Sequence, residues 1–375
     1  MSLFAGLISG TSMDGVEAVL LETSAAGCAV RGAFHQDYPA ELSARLKKAV
    51  AAPAACGLDE LGYLDAAIGE VFADAAQGLL ARCKVDARQV RAIGTHGQTV
   101  LHRPRGALRY TLQIGDPNRI AERTGIDVVA DFRRRDMAAG GEAAPLVPAF
   151  HAAVFAAHGE DRAVVNIGGI SNITTLAADG AVGGFDTGPG NCLMDLWAEE
   201  HLGTPFDRDG AMAAQGTVLA PLLGQLLAEP YLSLPPPKST GRELFHREWL
   251  APALQQHAAT PADVMATLSE YTARTIADAI RHVPGFAPRE LLVCGGGARN
   301  LELMRRLAVN LPGVTVHSTA VRGIAPEHVE GALFAWLAGR YLAGLPGNIT
   351  AVTGARGPRI LGALYPGGAP GASPG

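Results

Sequence analysis

Cysteine is sparse and unpatterned in this chain. Cys28, Cys56, Cys83, Cys192 and Cys294 are odd in number, widely spread and never in C-x-x-C spacing. That argues against a disulfide framework or a zinc site and fits a reducing compartment. No run of about 18 apolar residues occurs, so no membrane span is expected. The start has no basic segment before its first apolar run, so no signal peptide is expected either. Long basic runs are also missing, and the formal net charge is −5. Nucleic acid and anionic membrane surfaces are therefore not expected as partners. The expected location is cytoplasmic. With 48% hydrophobic and 18% charged residues the chain is globular in composition. Its 375 residues exceed one ordinary core, so two domains are expected.

What is present centres on Leu7–Glu17. An apolar run (Leu3, Phe4, Ala5, Leu7, Ile8) enters it and another (Val16, Ala18, Val19, Leu20, Leu21) leaves it. Glycines between two apolar runs predict strand, tight turn, strand. A structural hairpin does not need Thr11, Ser12 and Asp14 together. Glycine N–H groups and hydroxyls suit phosphate oxygens, and a neighbouring carboxylate suits Mg²⁺; an ordinary solvated turn is the alternative.

Leu61, Leu64, Ile68, Phe72, Ala75 and Leu79 share one face of a helix expected over Asp59–Cys83. Val90–Ile93 then runs into Gly94-Thr-His-Gly-Gln-Thr99, a polar glycine loop after a strand. Leu112–Asp116 and Val128–Asp131 read as repeats of that pattern, each ending in Asp. A glycine- and proline-marked stretch, Gly140–Pro148, marks a boundary. The second half restarts with a strand, Ala163–Ile167, then Gly168-Gly-Ile-Ser-Asn172 and the strand Ile173–Leu176, an echo of the first hairpin. Gly184-Phe-Asp-Thr-Gly-Pro-Gly-Asn191 is expected to open a helix through Trp197. Thr260 is expected as N-cap, with Pro261 at N1 and Asp263 at the capping-box position. A strand Leu291–Cys294 leads into Gly295–Asn300. Residues 366–375 read as a frayed tail.

Two hairpins can hold the phosphates of one nucleotide, and a third glycine turn allows close approach of a ring or sugar. The expected fold is α/β: two ribonuclease-H-like (actin-type ATPase) domains with an active-site cleft between them. The expected division is 1–135, with about 345–365 a candidate to return to it; 136–345; and the tail 366–375.

Eight segments in order resemble the anhydro-N-acetylmuramic acid kinase family. They are Gly6–Glu17, Gly94–Thr99, Gln113–Asp116, Val129–Arg133, Val165–Thr174, Gly184–Asn191, Val293–Asn300 and Glu330 ahead of a helix over Gly331–Leu342. The resemblance implies an ATP-dependent kinase that opens 1,6-anhydro-N-acetylmuramic acid with water and phosphorylates O6, in recycling of peptidoglycan fragments. A homodimer is implied by the family only. Two departures stand out: Gly140-Gly-Glu-Ala-Ala-Pro145 has Glu142 and Ala143 where the family has Gln and Gly, and no acidic residue stands near Ala320.

On that resemblance ATP is held by Gly10, Thr11, Ser12, Met13, Asp14, Gly15, Val16 and Glu17, with Asp14 near Mg²⁺, through water. Gly168, Gly169 and Asn172 close on the phosphates, and Gly295, Gly296 and Asn300 lie against adenosine; a tight turn before a helix is the alternative for Gly295–Gly297. Asp186 matches the family's catalytic base, where capping of the following helix is the other reading. Thr95, His96, Gln98, Arg133 and Glu330 are the expected sugar contacts, with loop bracing an alternative for His96. Asp116 and Asp131 are expected to order strand ends, Arg134 and Arg135 to be solvated, and Cys192 to be a buried thiol. An ordinary hexose or acetylhexosamine kinase, a non-enzymatic nucleotide switch of the Hsp70 type and a binding-only protein are the rivals.

Overall fold

The structure, a computed structural model, describes residues 1–368 apart from Thr11, Ala26, Pro237, Arg242 and Ala258. The tail expected over 366–375 thus lies mostly outside the described residues. The strands are β1 (Ser2–Ile8), β2 (Gly15–Ser24), β3 (Gly27–Asp37), β4 (Val90–Thr95), β5 (Gln98–Arg103), β6 (Tyr110–Ile114) and β7 (Val128–Ala130). They continue with β8 (Arg162–Ile167), β9 (Ile170–Leu176), β10 (Val182–Pro189), β11 (Glu290–Cys294), β12 (Thr315–Ser318) and β13 (Ala363–Tyr365). The helices are α1 (Ala40–Ala51), α2 (Leu58–Cys83), α3 (Pro117–Thr124), α4 (Arg134–Ala138), α5 (Val147–Phe155) and α6 (Cys192–Leu202). After them come α7 (Ala220–Leu227), α8 (Arg247–Gln255), α9 (Pro261–Arg281), α10 (Leu301–Asn310), α11 (Val329–Leu342) and α12 (Thr350–Thr353). No single helix among the described residues is long and apolar enough to cross a membrane.

The chain forms two compact units, Met1–Val154 with His328–Gly375, and Phe155–Glu327. In the first unit the sheet order is β13-β7-β4-β1-β2-β3, with β1, β4 and β7 parallel and β2 and β3 joined as antiparallel hairpins. In the second it is β10-β9-β8-β11-β12, again a meander of three followed by two parallel strands. Numbered within each unit, both place their first five main-sheet strands in the order 3-2-1-4-5, the ribonuclease-H-like arrangement. The segment Leu112–Asp116 departs from expectation. Among the described residues its strand β6 pairs only with β5, in a separate two-stranded sheet. An alternating apolar run has the same signature in a hairpin arm as in a central strand.

The units part at Val154/Phe155 and Glu327/His328, not at 135/136 and 345/346, for two physical reasons. First, Asp136 is wholly buried and accepts hydrogen bonds from Ala143 N–H (2.9 Å), Asn348 Nδ2 (2.7 Å) and Thr353 Oγ1 (2.8 Å). It thereby ties the loop after α4 to the C-terminal segment of the first unit. Second, α11 lies directly against the sheet. A Cβ on Gly6 of β1 would overlap the Gly331 carbonyl, and one on Gly94 of β4 would overlap that of Phe334. Gly6 and Gly94 face each other in parallel register, so the two make one flat bed for the helix.

Gly94→Ala is expected to destabilise the protein by about 2 kcal/mol or more, since overpacking here must displace backbone. Gly62→Ala, in α2 with open space at its Cβ position, is expected to stabilise by about 0.5–1 kcal/mol. Thermal unfolding of the two variants checks this: shifts of opposite sign are expected, and a Gly94→Ala melting temperature at or above the parent's contradicts it.

Candidate active site

The first glycine turn joins β1 to β2 and is braced from behind. Ser9, buried, donates to Gln98 Oε1 (2.6 Å), and Gln98 Nε2 donates to the Gly10 carbonyl (3.3 Å). Ser43 Oγ donates to the Met13 carbonyl (2.7 Å), and Tyr38 N–H donates to that of Asp14 (2.8 Å). Met13 takes φ +54°, the left-handed conformation that reverses the chain. Gly10, Ser12 and Asp14 are left exposed on the tip, with Ser12 Oγ donating to Asp14 Oδ1 (2.7 Å). Thr11 lies outside the described residues. The Val16 side chain is in the core. Glu17 lies between His328 Nδ1 (3.1 Å) and His35 Nδ1 (3.3 Å), so these two side chains turn away from the tip's exposed groups. Gln98, expected as a sugar contact, also braces the turn.

Thr95, His96, Arg133 and Glu330 all fall in the first unit. Thr95 Oγ1 is buried and has no hydrogen-bond partner among the described residues. The residue lines a cavity of about 400 Å³ with His96, Asp65, Gln113, Asp131, Arg134 and Tyr365. His96 Nδ1 is hydrogen-bonded to the Gly97 carbonyl (3.0 Å), which makes it the protonated nitrogen, and Nε2 accepts from Arg133 Nε (2.9 Å). Burial first, and the Arg133 charge second, push its pKa well below the usual 6.5. The ring packs on Phe334 of α11, with centroids 4.7 Å apart. Loop bracing, the alternative reading of His96, therefore describes both ring nitrogens. Arg133 Nη1 donates to the Ala143 carbonyl (2.6 Å). Burial pulls the guanidinium down to about 10, while the charges of Glu330 and Asp136 favour its ionised form. Ala143 stands at φ +59° and is fully buried, the left-handed region that favours glycine, so the departure at this position leaves strain beside Arg133. Asp116 caps α3 through the Asn118 N–H (2.9 Å), and Arg134 and Arg135 are exposed.

In the second unit the Gly168 and Gly169 carbonyls accept the N–H groups of Asn191 (2.8 Å), Gly190 (2.9 Å) and Cys192 (3.1 Å). The turn between β8 and β9 is thus fastened to the start of α6, where Cys192 is buried. Asp186 is neither in a loop at a helix start nor a helix cap. It lies within β10, opposite Asn172 of β9, and a bulge follows between Asp186 and Gly188. The helix begins only at Cys192, after Asn191. Asp186 Oδ2 accepts the Thr240 N–H (3.0 Å), its carbonyl accepts the Tyr231 hydroxyl (2.8 Å), and its N–H donates to the Lys238 carbonyl (3.2 Å). Tyr231, Lys238 and Thr240 gave no signal in the sequence, being distant from Asp186 in the chain. Burial lowers the Lys238 pKa.

The third turn divides its glycines between packing and access. Cβ atoms on Gly295 and Gly297 would overlap Asn166 and Ile167, whereas Gly296 has room. Gly296 and Asn300 line a cavity of about 280 Å³ with Asn191, Asp195, Phe206, Arg208, Asp209 and Arg299. The Asn300 side chain caps α10, accepting the Leu303 N–H (2.9 Å), so it shapes the wall of this cavity. Phe206 and Arg208 were missed by sequence reasoning; they reach the glycine turn only through the fold. Thr260 caps α9 as expected, its Oγ1 accepting the Asp263 N–H (3.2 Å), but the Asp263 carboxylate accepts from Thr260 Oγ1 and the Thr217 N–H instead of completing a box.

Two units with the same 3-2-1-4-5 strand order, each opening on a glycine hairpin, define the class as a duplicated ribonuclease-H-like α/β protein. The chain belongs to the anhydro-N-acetylmuramic acid kinase family, whose profile matches residues 2–367. It is 53% identical over 368 residues to the anhydro-N-acetylmuramic acid kinase of Xanthomonas campestris pv. campestris, covering 97% of each chain. Relatives of the same name in Xanthomonas axonopodis pv. citri and Shewanella loihica are 51% and 49% identical, over 97% of this chain and 98% of theirs.

Two buried histidines and the half-buried His102 set an acid limit on stability. Burial lowers His96 well below 6.5, His102 to about 4 and His151 to about 3. Below about pH 6.5 the unfolded chain binds protons that the native state does not, so stability is complete above that value and falls as pH drops toward 4. Melting temperatures at pH 7.5, 6.5, 5.5 and 4.5 are expected to fall across the last three, with a shallower fall for His102→Gln. A flat profile from 7.5 to 4.5 contradicts the neutral assignment.

Proposed function

We propose that this chain converts 1,6-anhydro-N-acetylmuramic acid, ATP and water to N-acetylmuramic acid 6-phosphate and ADP, as a cytoplasmic homodimer serving peptidoglycan recycling. The observation that carries the reading is Asp186. It is a carboxylate oriented by a backbone N–H and placed opposite Asn172 of the second glycine hairpin. A fixed carboxylate suits a general base.

An inverting glycosidase uses one carboxyl group as base for water and another as acid for the leaving oxygen. Here the leaving oxygen is O6, and the γ-phosphoryl group can take it, so one base suffices. Water loses a proton to Asp186 and its oxygen bonds to C1. The C1–O6 bond breaks, O6 takes the phosphoryl group, and ADP departs. Positioning and charge neutralisation carry such a transfer.

From the first unit, Gly10, Thr11, Ser12, Met13, Asp14 and Gly15 hold phosphate oxygens, with Val16 and Glu17 contributing only the strand that leaves the turn. From the second, Gly168, Gly169 and Asn172 do the same, and Gly295, Gly296 and Asn300 form the wall for adenosine. No group of three or more His, Cys, Asp or Glu side chains among the described residues could hold a metal ion. A single exposed Asp14 fits Mg²⁺ carried chiefly by phosphates and waters, where the ion would neutralise phosphate charge. Thr95, whose buried hydroxyl has no partner among the described residues, and Glu330 hydrogen-bond the sugar. Arg133, with Nε and Nη1 committed to His96 and Ala143, turns its remaining donors to the lactyl carboxylate. His96 and Gln98 support these groups.

A product assay with ATP tests the reading on three sugars. Phosphorylation of 1,6-anhydro-N-acetylmuramic acid, and not of N-acetylglucosamine or N-acetylmuramic acid, is expected. Turnover of the last two without the first points to an ordinary sugar kinase. Asp186→Asn is expected to lower kcat by about 10²–10⁴-fold; near-parent turnover removes Asp186 as the base.

A further inference from the structure

We propose that the segment Tyr231–Thr240 is a clasp that orients Asp186, with Tyr231 and Lys238 as its positioning residues. This rests on the reading of Asp186 as the base that activates water. Hydrogen bonds at Tyr231, Lys238 and Thr240 connect the segment to that one residue. The Tyr231 hydroxyl donates to the Asp186 carbonyl (2.8 Å) and the Asp186 N–H donates to the Lys238 carbonyl (3.2 Å). Those two fix the backbone, and the Thr240 N–H on Oδ2 (3.0 Å) fixes the carboxylate. A bulge begins just beyond, between Asp186 and Gly188, so the strand ladder alone does not set the orientation there.

The segment enters through one tight turn, Pro230–Ser233. Lys238 holds it closed. Its Nζ donates to the carbonyls of Leu232 (2.9 Å) and Tyr231 (3.4 Å), and lies 4.9 Å from the Tyr231 ring centroid and 5.9 Å from that of Phe185. An ammonium so placed folds the segment back on its own beginning and gains from the ring faces. That beginning is anchored in turn. Glu229 accepts the Tyr231 N–H (3.2 Å) and the Trp249 indole N–H (2.8 Å), and Tyr231 meets Phe245 edge-on at 6.3 Å. Donors directed at carbonyls of the same segment mark a structural cation rather than a phosphate ligand. Loss of Lys238 therefore misaligns the base and leaves nucleotide binding unchanged.

The test compares Lys238→Met, Lys238→Arg, Tyr231→Phe and Asp186→Gly by steady-state kinetics, with and without azide. Azide attacks C1 without a base: the C1–N bond forms, the C1–O6 bond breaks, and O6 takes the phosphoryl group. Lys238→Met and Tyr231→Phe are expected to lose about 10–10²-fold in kcat, the scale of a small misplacement, with the KM for ATP within about twofold of the parent. Lys238→Arg, keeping the cation, is expected to lose less. Azide is expected to restore turnover in Asp186→Gly and in both clasp variants. If Asp186→Gly stays active without azide, or azide does not rescue it, the base reading fails and the clasp with it. If Asp186→Gly is rescued but both clasp variants keep parental kcat, raise the KM for ATP with kcat intact, or lose kcat without azide rescue while folded by circular dichroism, the clasp alone is overturned.

Discussion

The first unit depends on how closely α11 approaches its sheet. Gly6 and Gly94 stand side by side on β1 and β4, and no side chain of any size fits between them and the helix backbone. The consequence reaches the site. The same helix carries Glu330 in its first turn and Phe334 one turn on, so seating it places a carboxylate near Arg133 and a ring beneath His96. His96 then orients Arg133 through Nε2, and Arg133 holds the loop at Ala143. The buried Asp136 closes the same circuit from the other end, through Asn348 and Thr353. Glycines that look like part of a ligand motif thus act one layer behind it.

The second unit repeats the strand order but divides the labour differently. The first glycine turn is held by side chains at its back, Ser9 and Gln98, and leaves its tip exposed. The second is held by its carbonyls, which receive the first N–H groups around the start of α6. Beside it, Asp186 depends on a segment 45 to 54 residues further along the chain. That segment is anchored through Glu229, Phe245 and Trp249 to the aromatic core, where Trp249 stacks on Tyr271. The backbone N–H of Thr240 on Oδ2 gives the Asp186 carboxylate a fixed orientation.

The fold was readable wherever local pattern and tertiary environment agree. The stripe from Leu61 to Leu79 gives α2, the Thr260-Pro261 pair gives the start of α9, and apolar runs on both sides of glycine turns give both hairpins. It was not readable where pairing decides. Gly183–Gly190 has too few side chains to declare itself a strand, and only its partner β9 makes it one. Leu112–Asp116 has a strand's alternation, but nothing in it says which strand it joins. Of the candidate site residues, the exposed tip of the first hairpin was legible because its chemistry is local. The bracing by Gln98 was not, and for His96 it stood only as an alternative, because a hydrogen-bonding side chain reads the same whether its partner is a ligand or a carbonyl. Asp136, Phe206, Tyr231, Lys238 and Thr240 reach their places through contacts distant in sequence.

What separates a kinase that opens the anhydro bridge from one that merely phosphorylates a sugar hydroxyl is the origin of the oxygen at C1. Turnover of 1,6-anhydro-N-acetylmuramic acid with ATP in ¹⁸O-water, with the product analysed by mass spectrometry at early times, reads that directly. If Asp186 delivers water to C1 while O6 takes the phosphoryl group, one ¹⁸O enters the sugar at C1 and none enters the phosphate. A phosphorylated sugar that still carries the anhydro bridge, or an ¹⁸O label in the phosphate, contradicts it.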